Sequence, residues 1–209
     1  MPTIYFSLID KLEGMDEKQR ELFLQGANAH AKFVLSVTRN IYEKTQIAKI
    51  NLRGNPKNKD FTSKVGKILG IILPTEVGSV ILKEEISVTT TGPNEWLIIS
   101  NNSTKEDSND YELENILYES ISKANLGSVT NVTDQFTVFS LSGSNTFELL
   151  SKSSPFDFDT LMNNCSSQTL LNNIDITIIK KDNENVDLFV RRSFAEHLWS
   201  WLNDSARFL

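Results

Sequence analysis

The feature that most limits the fold of this chain is an alternation: strand-like runs come in pairs joined by turns, and single helical stretches separate the pairs. QIAKINLRG sets Ala48, Ile50 and Leu52 on one side of an extended segment and ends at Gly54 and Pro56, which predicts a half-buried strand and a turn. FTSKVGKILG then spaces Phe61, Val65, Ile68 and Leu69 as a helical face and stops at Gly70, a residue suited to the left-handed position after a helix. EEISVTTTGPNEWLIIS predicts two strands around a Gly92-Pro93-Asn94 turn, with Trp96 opening the second. The polar run NNSTKEDSND predicts a mobile loop, and YELENILYESISKANLG a helix with Leu113, Ile116, Leu117, Ile121 and Ala124 on one face.

The pattern repeats in the second half. SVTNVTD and TVFSLSG predict another strand pair, NTFELLSKS a short helix capped by Ser144, and SQTLL, IDITIIKK and VDLFV three strands, the last two joined by the charged turn Asp182 to Asn185. Strand pairs interleaved with single helices fit an α+β fold, with antiparallel or mixed sheets carrying packed helices as split βαβ, ferredoxin-like lobes. Residues 1–44 give mixed signals, a helix over MDEKQRELFLQGANAHAKFVL among them, and read as an N-terminal extension to a domain of residues 45–209.

The chain closes on VRRSFAEHLWSWL, Val190 to Leu202. Ser193 and Glu196 have the spacing of a capping box, so a helix is predicted to start there. Its apolar arc holds Phe194, Ala195, Leu198, Trp199, Trp201, Leu202, Ala206, Phe208 and Leu209, with the two indoles at opposite margins. That arc is wider than the roughly 100° stripe of a surface helix, so the indoles either complete the chain's own core or meet a second surface. Arg191 and Arg192 stand where a helix N-terminus disfavours cations. Something other than local helix stability must account for them.

At 209 residues and 39% hydrophobic content, the chain can bury a substantial core. A net charge of −6 and a pI near 5.0 argue against binding nucleic acid or an anionic membrane surface. No stretch approaches the roughly 20 apolar residues of a membrane span, and MPTIYFSLIDKLEGMDEK lacks the basic start of a secretory signal. A cytoplasmic location is expected. The single cysteine, Cys165, and the two histidines, His30 and His197, have no zinc-ligand spacing.

Other chemistry is also thinly supported. SLSGSN lacks the glycine flanks of a nucleophile elbow, no Gly-rich phosphate loop occurs, and Cys165 has no nearby cation in sequence to stabilise a thiolate. Asp134, Asp157 and Asp159 sit at strand or loop ends, where aspartate commonly accepts backbone N–H groups. No catalytic, cofactor-binding or metal-ligating residue is expected in this chain. Its surplus aromatics and arginines point to work through contact.

INLRG, LGIILPTEVGS, TGPNEWLIIS, VTDQFTVFSLSGSNTFELLSKSSPFDFD, NNCSSQTLL and VRRSFAEHLWSWL occur in this order from about Leu52 to the C-terminus. In that respect the chain resembles the gamma subunits of heterotetrameric sarcosine oxidase. The most specific residues are Gly92-Pro93 with Glu95-Trp96, Arg192 to Ala195, and Leu198-Trp199 with Trp201-Leu202. The middle part, a strand ending in Asp134, a second strand, Gly143 and a short helix ending in Leu150, also resembles folate-binding aminomethyltransferase-like proteins. Two departures stand out: Ser154 where the family usually has cysteine, and Arg191 where an aromatic is common.

The resemblance implies a non-catalytic gamma subunit of an oxidoreductase of sarcosine catabolism and one-carbon metabolism. The whole complex oxidises sarcosine to glycine and hydrogen peroxide and passes the one-carbon unit to tetrahydrofolate. FAD, FMN, NAD, zinc and tetrahydrofolate would belong to partners, which are the alpha, beta and delta subunits. Arg191, Arg192, Trp199, Trp201 and Trp96 are then the candidate subunit-interface residues. The alternative is an independent folate-binding aminomethyltransferase-like protein.

Overall fold

The computed structural model describes residues 40–44, 47–100 and 112–207. The helix expected near the N-terminus, His30, and the loop NNSTKEDSND lie outside the described residues. Among the described residues, ten strands form two five-stranded sheets, and every pairing within them is antiparallel.

The first lobe begins with β2 (Ala48–Gly54) and α1 (Lys59–Leu69). Asn58 caps α1 by accepting from the backbone N–H groups of Asp60 and Phe61, and Gly70 follows the helix at φ 65°. Then come β3 (Val80–Lys83), β4 (Ile86–Gly92), β5 (Glu95–Ser100), α2 (Glu112–Leu117) with a π turn over Tyr118–Ser122, and β6 (Gly127–Asn131). Their sheet runs β3-β4-β5-β2-β6.

β7 (Phe136–Ser142), α3 (Thr146–Ser151), β8 (Cys165–Leu171), β9 (Ile174–Lys180), β10 (Asn185–Arg191) and α4 (Ala195–Ala206) make the second lobe. Its sheet runs β8-β9-β10-β7 and is closed by β1 (Asn40–Lys44), which pairs with β7 over five residues. The two lobes therefore repeat one topology. β1 occupies beside β7 the place that β6 occupies beside β2.

Alternation along each strand sorts the core into three layers. Ile50, Leu52, Val88, Trp96 and Ile98 pack under α1 and α2, while Phe139, Leu141, Ile176, Leu188 and Val190 pack under α3 and α4. The opposite faces of the two sheets meet through Ile47, Val80, Leu97, Ile99, Val138, Ile179 and Phe189. Helices, sheet, sheet, helices is the resulting order of layers. An antiparallel bridge between Ser79 and Cys165 stitches one edge of the pair, with Val80 N–H donating to the Asn164 carbonyl at 3.1 Å.

The α+β class with helix-covered split βαβ lobes is what the strand and helix alternation predicts. SVTNVTD and TVFSLSG differ from expectation: β6 and β7 follow each other in sequence, yet β6 pairs with β2 and β7 with β1 and β10. The Thr133–Gln135 3-10 turn between them carries the chain from one sheet to the other. Ser144 does not cap α3, because Asn145 holds the cap position and the Ser144 hydroxyl turns to the Asn145 side chain at 3.2 Å.

Candidate functional site

β10 ends at Arg191, and the chain makes a 3-10 turn over Arg192–Phe194 before α4 begins. The expected capping box does not form: Ser193 sits inside that turn, and Phe194 holds the cap position without a side-chain bond. The tighter turn supplies local i→i+3 bonding in its place, with Ala195 N–H donating to the Arg192 carbonyl. α4 buries Leu198, Leu202 and Ala206 completely. Trp199 and Trp201 are only partly covered by the same core, Trp199 against Phe139 at 5.4 Å between ring centres. Phe194, at the head of the helix, stays 48% exposed.

Trp96 is different. It is fully buried, stacks at 5.6 Å on Phe61, and donates its indole N–H to the Pro74 carbonyl at 2.7 Å. As an interface candidate it is corrected to a core residue, since its position on β5 points it under α1 rather than outward.

The two arginines part company. Arg192 reaches Asp134 at 3.2 Å, an exposed ion pair of the kind worth about 0–1 kcal/mol. Arg191 is exposed and has no ion-pair partner among the described residues. Close by, Lys49 points between the sheets and donates to the Thr133 carbonyl at 2.9 Å, while Thr133 Oγ1 accepts from the Lys49 backbone N–H at 3.0 Å. Burial, and then the charge of Arg192, push the Lys49 ammonium down to about 8 against the opposing pull of Asp134 and Glu43. Lys49, Asp134 and Arg192 thus bind the crossover between the lobes to the start of the last helix.

A second charged group was not apparent in the sequence. Asp187, on the inner face of β10, accepts from Lys44 Nζ at 2.7 Å and Lys181 Nζ at 2.9 Å, and the Ser140 hydroxyl also donates to it. Burial alone would raise its carboxyl, but the two ammonium groups and the hydroxyl more than offset this and hold it below the ordinary value. The available signal was an aspartate inside the otherwise apolar run VDLFV.

Other chemistry-bearing residues are dispersed. His197 Nε2 contacts Asn172 Nδ2 at 3.0 Å on the surface, and Cys165 opposes Lys180 in the β8–β9 ladder. Asp157 accepts the Asp159 backbone N–H, as its loop position predicts. Among the described residues no group of three or more His, Cys, Asp or Glu side chains could hold a metal ion, and no helix is long and apolar enough to cross a membrane.

A family model described as "Sarcosine oxidase, gamma subunit family" matches residues 53–207. The chain belongs to that family. The match takes in β3 to β10 and α1 to α4, and it includes Arg191, Arg192 and both tryptophans of α4. Among solved structures, this gamma-family chain is similar to heterotetrameric sarcosine oxidase from Corynebacterium sp. U-96 in complex with pyrrole 2-carboxylate. The two share 24% identity at a TM-score of 0.71, over 80% of this chain and 83% of that one. It also shares its fold with glycine cleavage system aminomethyltransferase T from Bartonella henselae, at 15% identity and a TM-score of 0.58, covering 85% of this chain but 49% of that one. No curated protein matches the sequence.

Proposed function

We propose that this chain is the gamma subunit of a heterotetrameric sarcosine oxidase and acts as a non-catalytic partner of the subunits that carry out the redox chemistry. The single observation that carries the reading is the gamma-subunit family match across residues 53–207. On this reading the assembly demethylates sarcosine oxidatively to glycine in the cytoplasm and hands the one-carbon unit to tetrahydrofolate. FAD, FMN, NAD, zinc and tetrahydrofolate are held by the alpha, beta and delta subunits.

The surface at the head and flanks of α4 is the proposed contact. Arg191 is exposed at the end of a strand, Phe194 is half-exposed beside it, and Trp199 and Trp201 keep part of their rings outside the core. A planar guanidinium and partly exposed amphipathic indoles suit an interface, where Arg and Trp dominate binding energy. Arg192 has an intrachain carboxylate, so Arg191 is the stronger candidate to reach a neighbour's.

Co-expression of the tagged chain with the large subunits tests this. A yellow complex with flavin absorption is expected, and colourless protein from the chain alone. Arg191→Ala with Trp201→Ala should reduce recovery of the complex about tenfold or more, the scale of one or two hot-spot contacts. A chain that never retains the flavin-bearing subunits would overturn the assignment.

A further inference from the structure

β3 is an outer strand of the first lobe's sheet, and hydrogen bonding fixes which of its residues face away from β4. The Ser79 carbonyl accepts from Thr90 N–H on the β4 side, so the next residue, Val80, faces outward and donates to the Asn164 carbonyl at 3.1 Å. Antiparallel pairs alternate in this way along a strand. Leu82, two residues on, therefore turns its N–H and C=O outward as well. Asn164, in the left-handed region at φ 56°, turns the second lobe's chain at this point, and among the described residues no backbone bond reaches Leu82 on that edge.

The side chains around this edge are apolar and lie outside the core. Leu82 shares the face of the buried Val80 yet is 52% exposed, and Met162, two residues before Asn164, is 72% exposed. Lys83 Nζ donates to the Gly70 carbonyl at 2.8 Å, which holds the stretch LGIILPTEVGS beside the end of β3. In that stretch Ile71 and Leu73 pack inward, and Ile72 between them is left 88% exposed. Single exposed apolar residues are ordinary, but a group of them beside an open strand edge is a surface that proteins cover. Residues 70–85 and 159–164 also carry exposed Glu76, Glu84, Glu85 and Asp159. Their one cation, Lys83, is spent on the Gly70 carbonyl.

We propose that the β3 edge at Leu82 takes an extended segment of a neighbouring subunit, apolar in its middle and flanked by Lys or Arg, which joins the sheet as a further strand. The outward N–H and C=O of Leu82 supply the main-chain pairing, and Leu82, Met162 and Ile72 receive the apolar side chains, as in strand addition elsewhere. The acidic rim selects the cations. The proposal rests on the subunit reading and adds to it a contact on the first lobe's sheet, whereas α4 covers the second.

Hydrogen exchange at the Leu82 amide, in the full chain alone and in the co-purified assembly, reads the contact directly. Exchange is expected to slow about a hundredfold or more in the assembly. Leu82→Asp with Met162→Asp should lower recovery of the flavin-bearing subunits about tenfold, and Glu84→Lys with Glu85→Lys should lower it too. Leu82→Met with Met162→Leu keeps the surface apolar and should keep recovery, which separates loss of the surface from loss of fold. Equal Leu82 exchange in chain and assembly, or wild-type recovery by the aspartate or the lysine variant, overturns the proposal. So does an amide already slow in the chain alone, since another part of this chain or a second copy then covers the edge. A wild-type chain that recovers no flavin-bearing subunit overturns the subunit reading as well, whereas a recovered assembly in which Leu82 exchanges freely overturns only this contact.

Discussion

Lys49 shows how a single side chain can oppose the fold it belongs to. Its stem lies between the sheets, its ammonium has a backbone carbonyl as acceptor, and Arg192 stands near enough to repel it. With a folded pKa of about 8 against the ordinary lysine value of 10.5, folding sheds a proton across that window. Stability from this residue therefore rises as pH climbs through the window, and it is lowest below about 8. Lys49→Met keeps the stem and removes the buried charge. It is expected to raise stability at pH 7 by about 1–2 kcal/mol, less than the full shift implies because the Thr133 carbonyl loses its donor. Urea denaturation of both proteins at pH 7 and near pH 10 checks this, with the gain shrinking at the higher pH. Alternation placed Lys49 opposite Ala48, Ile50 and Leu52, on a face expected to be solvated. A second sheet covers that face, and a covering sheet leaves no mark on the local pattern. The Arg192–Asp134 pair was hidden for the same reason, since 58 residues separate its members. The aspartate among apolar neighbours in VDLFV was visible, but its lysine partners were not.

At the scale of elements, what was legible was whatever the chain encodes locally. The Gly92-Pro93-Asn94 turn, the Asp182–Asn185 turn and the Gly70 helix stop are all in place, because each depends on residues a few positions apart. Less was legible where packing decides. β1 falls at the end of residues 1–44, which the sequence reads as an extension, and its strand character comes from pairing with β7. The π turn over Tyr118–Ser122 comes from i→i+5 bonds such as Lys123 N–H to the Tyr118 carbonyl, which helical periodicity cannot distinguish from an ordinary turn. Gly54, read above only as the end of a strand, and Gly127 turn out to be packing sites. Gly54 and Gly127 face each other across β2 and β6, where a Cβ at Gly54 would meet the Phe61 ring and one at Gly127 the Arg53 carbonyl. Backbone cannot move aside as a flexible side chain can. Gly127→Ala is therefore expected to cost about 2–3 kcal/mol, as overpacking does. At Gly92 an added Cβ would find its nearest neighbour at 3.5 Å, an ordinary contact, so Gly92→Ala should stay within about 0.5 kcal/mol. Equal losses in chemical denaturation would refute the distinction.

The whole molecule depends on two sheets staying face to face, because each lobe alone would expose the layer that holds Leu97, Val138 and Phe189. Apolar contact supplies the attraction but little positional specificity, as such contacts are non-directional. Register between the lobes falls to polar groups buried in the same layer. Thr89 Oγ1 on β4 meets Ser166 Oγ on β8 at 2.6 Å, and the Ser166 backbone N–H donates to the Gly78 carbonyl at the same distance. The hydroxyl pair is well shielded, with Thr89 fully buried and Ser166 9% exposed. Ser166→Ala leaves the Thr89 hydroxyl without its partner in a place water does not reach, at an expected cost of about 1–3 kcal/mol. Adding Thr89→Val removes the orphaned group at nearly constant volume. The double variant should then be more stable than Ser166→Ala alone, with a coupling of about 1 kcal/mol between the sites. A double-mutant cycle in urea measures that term, and strict additivity would mean that the hydroxyls do not act as a unit between the lobes.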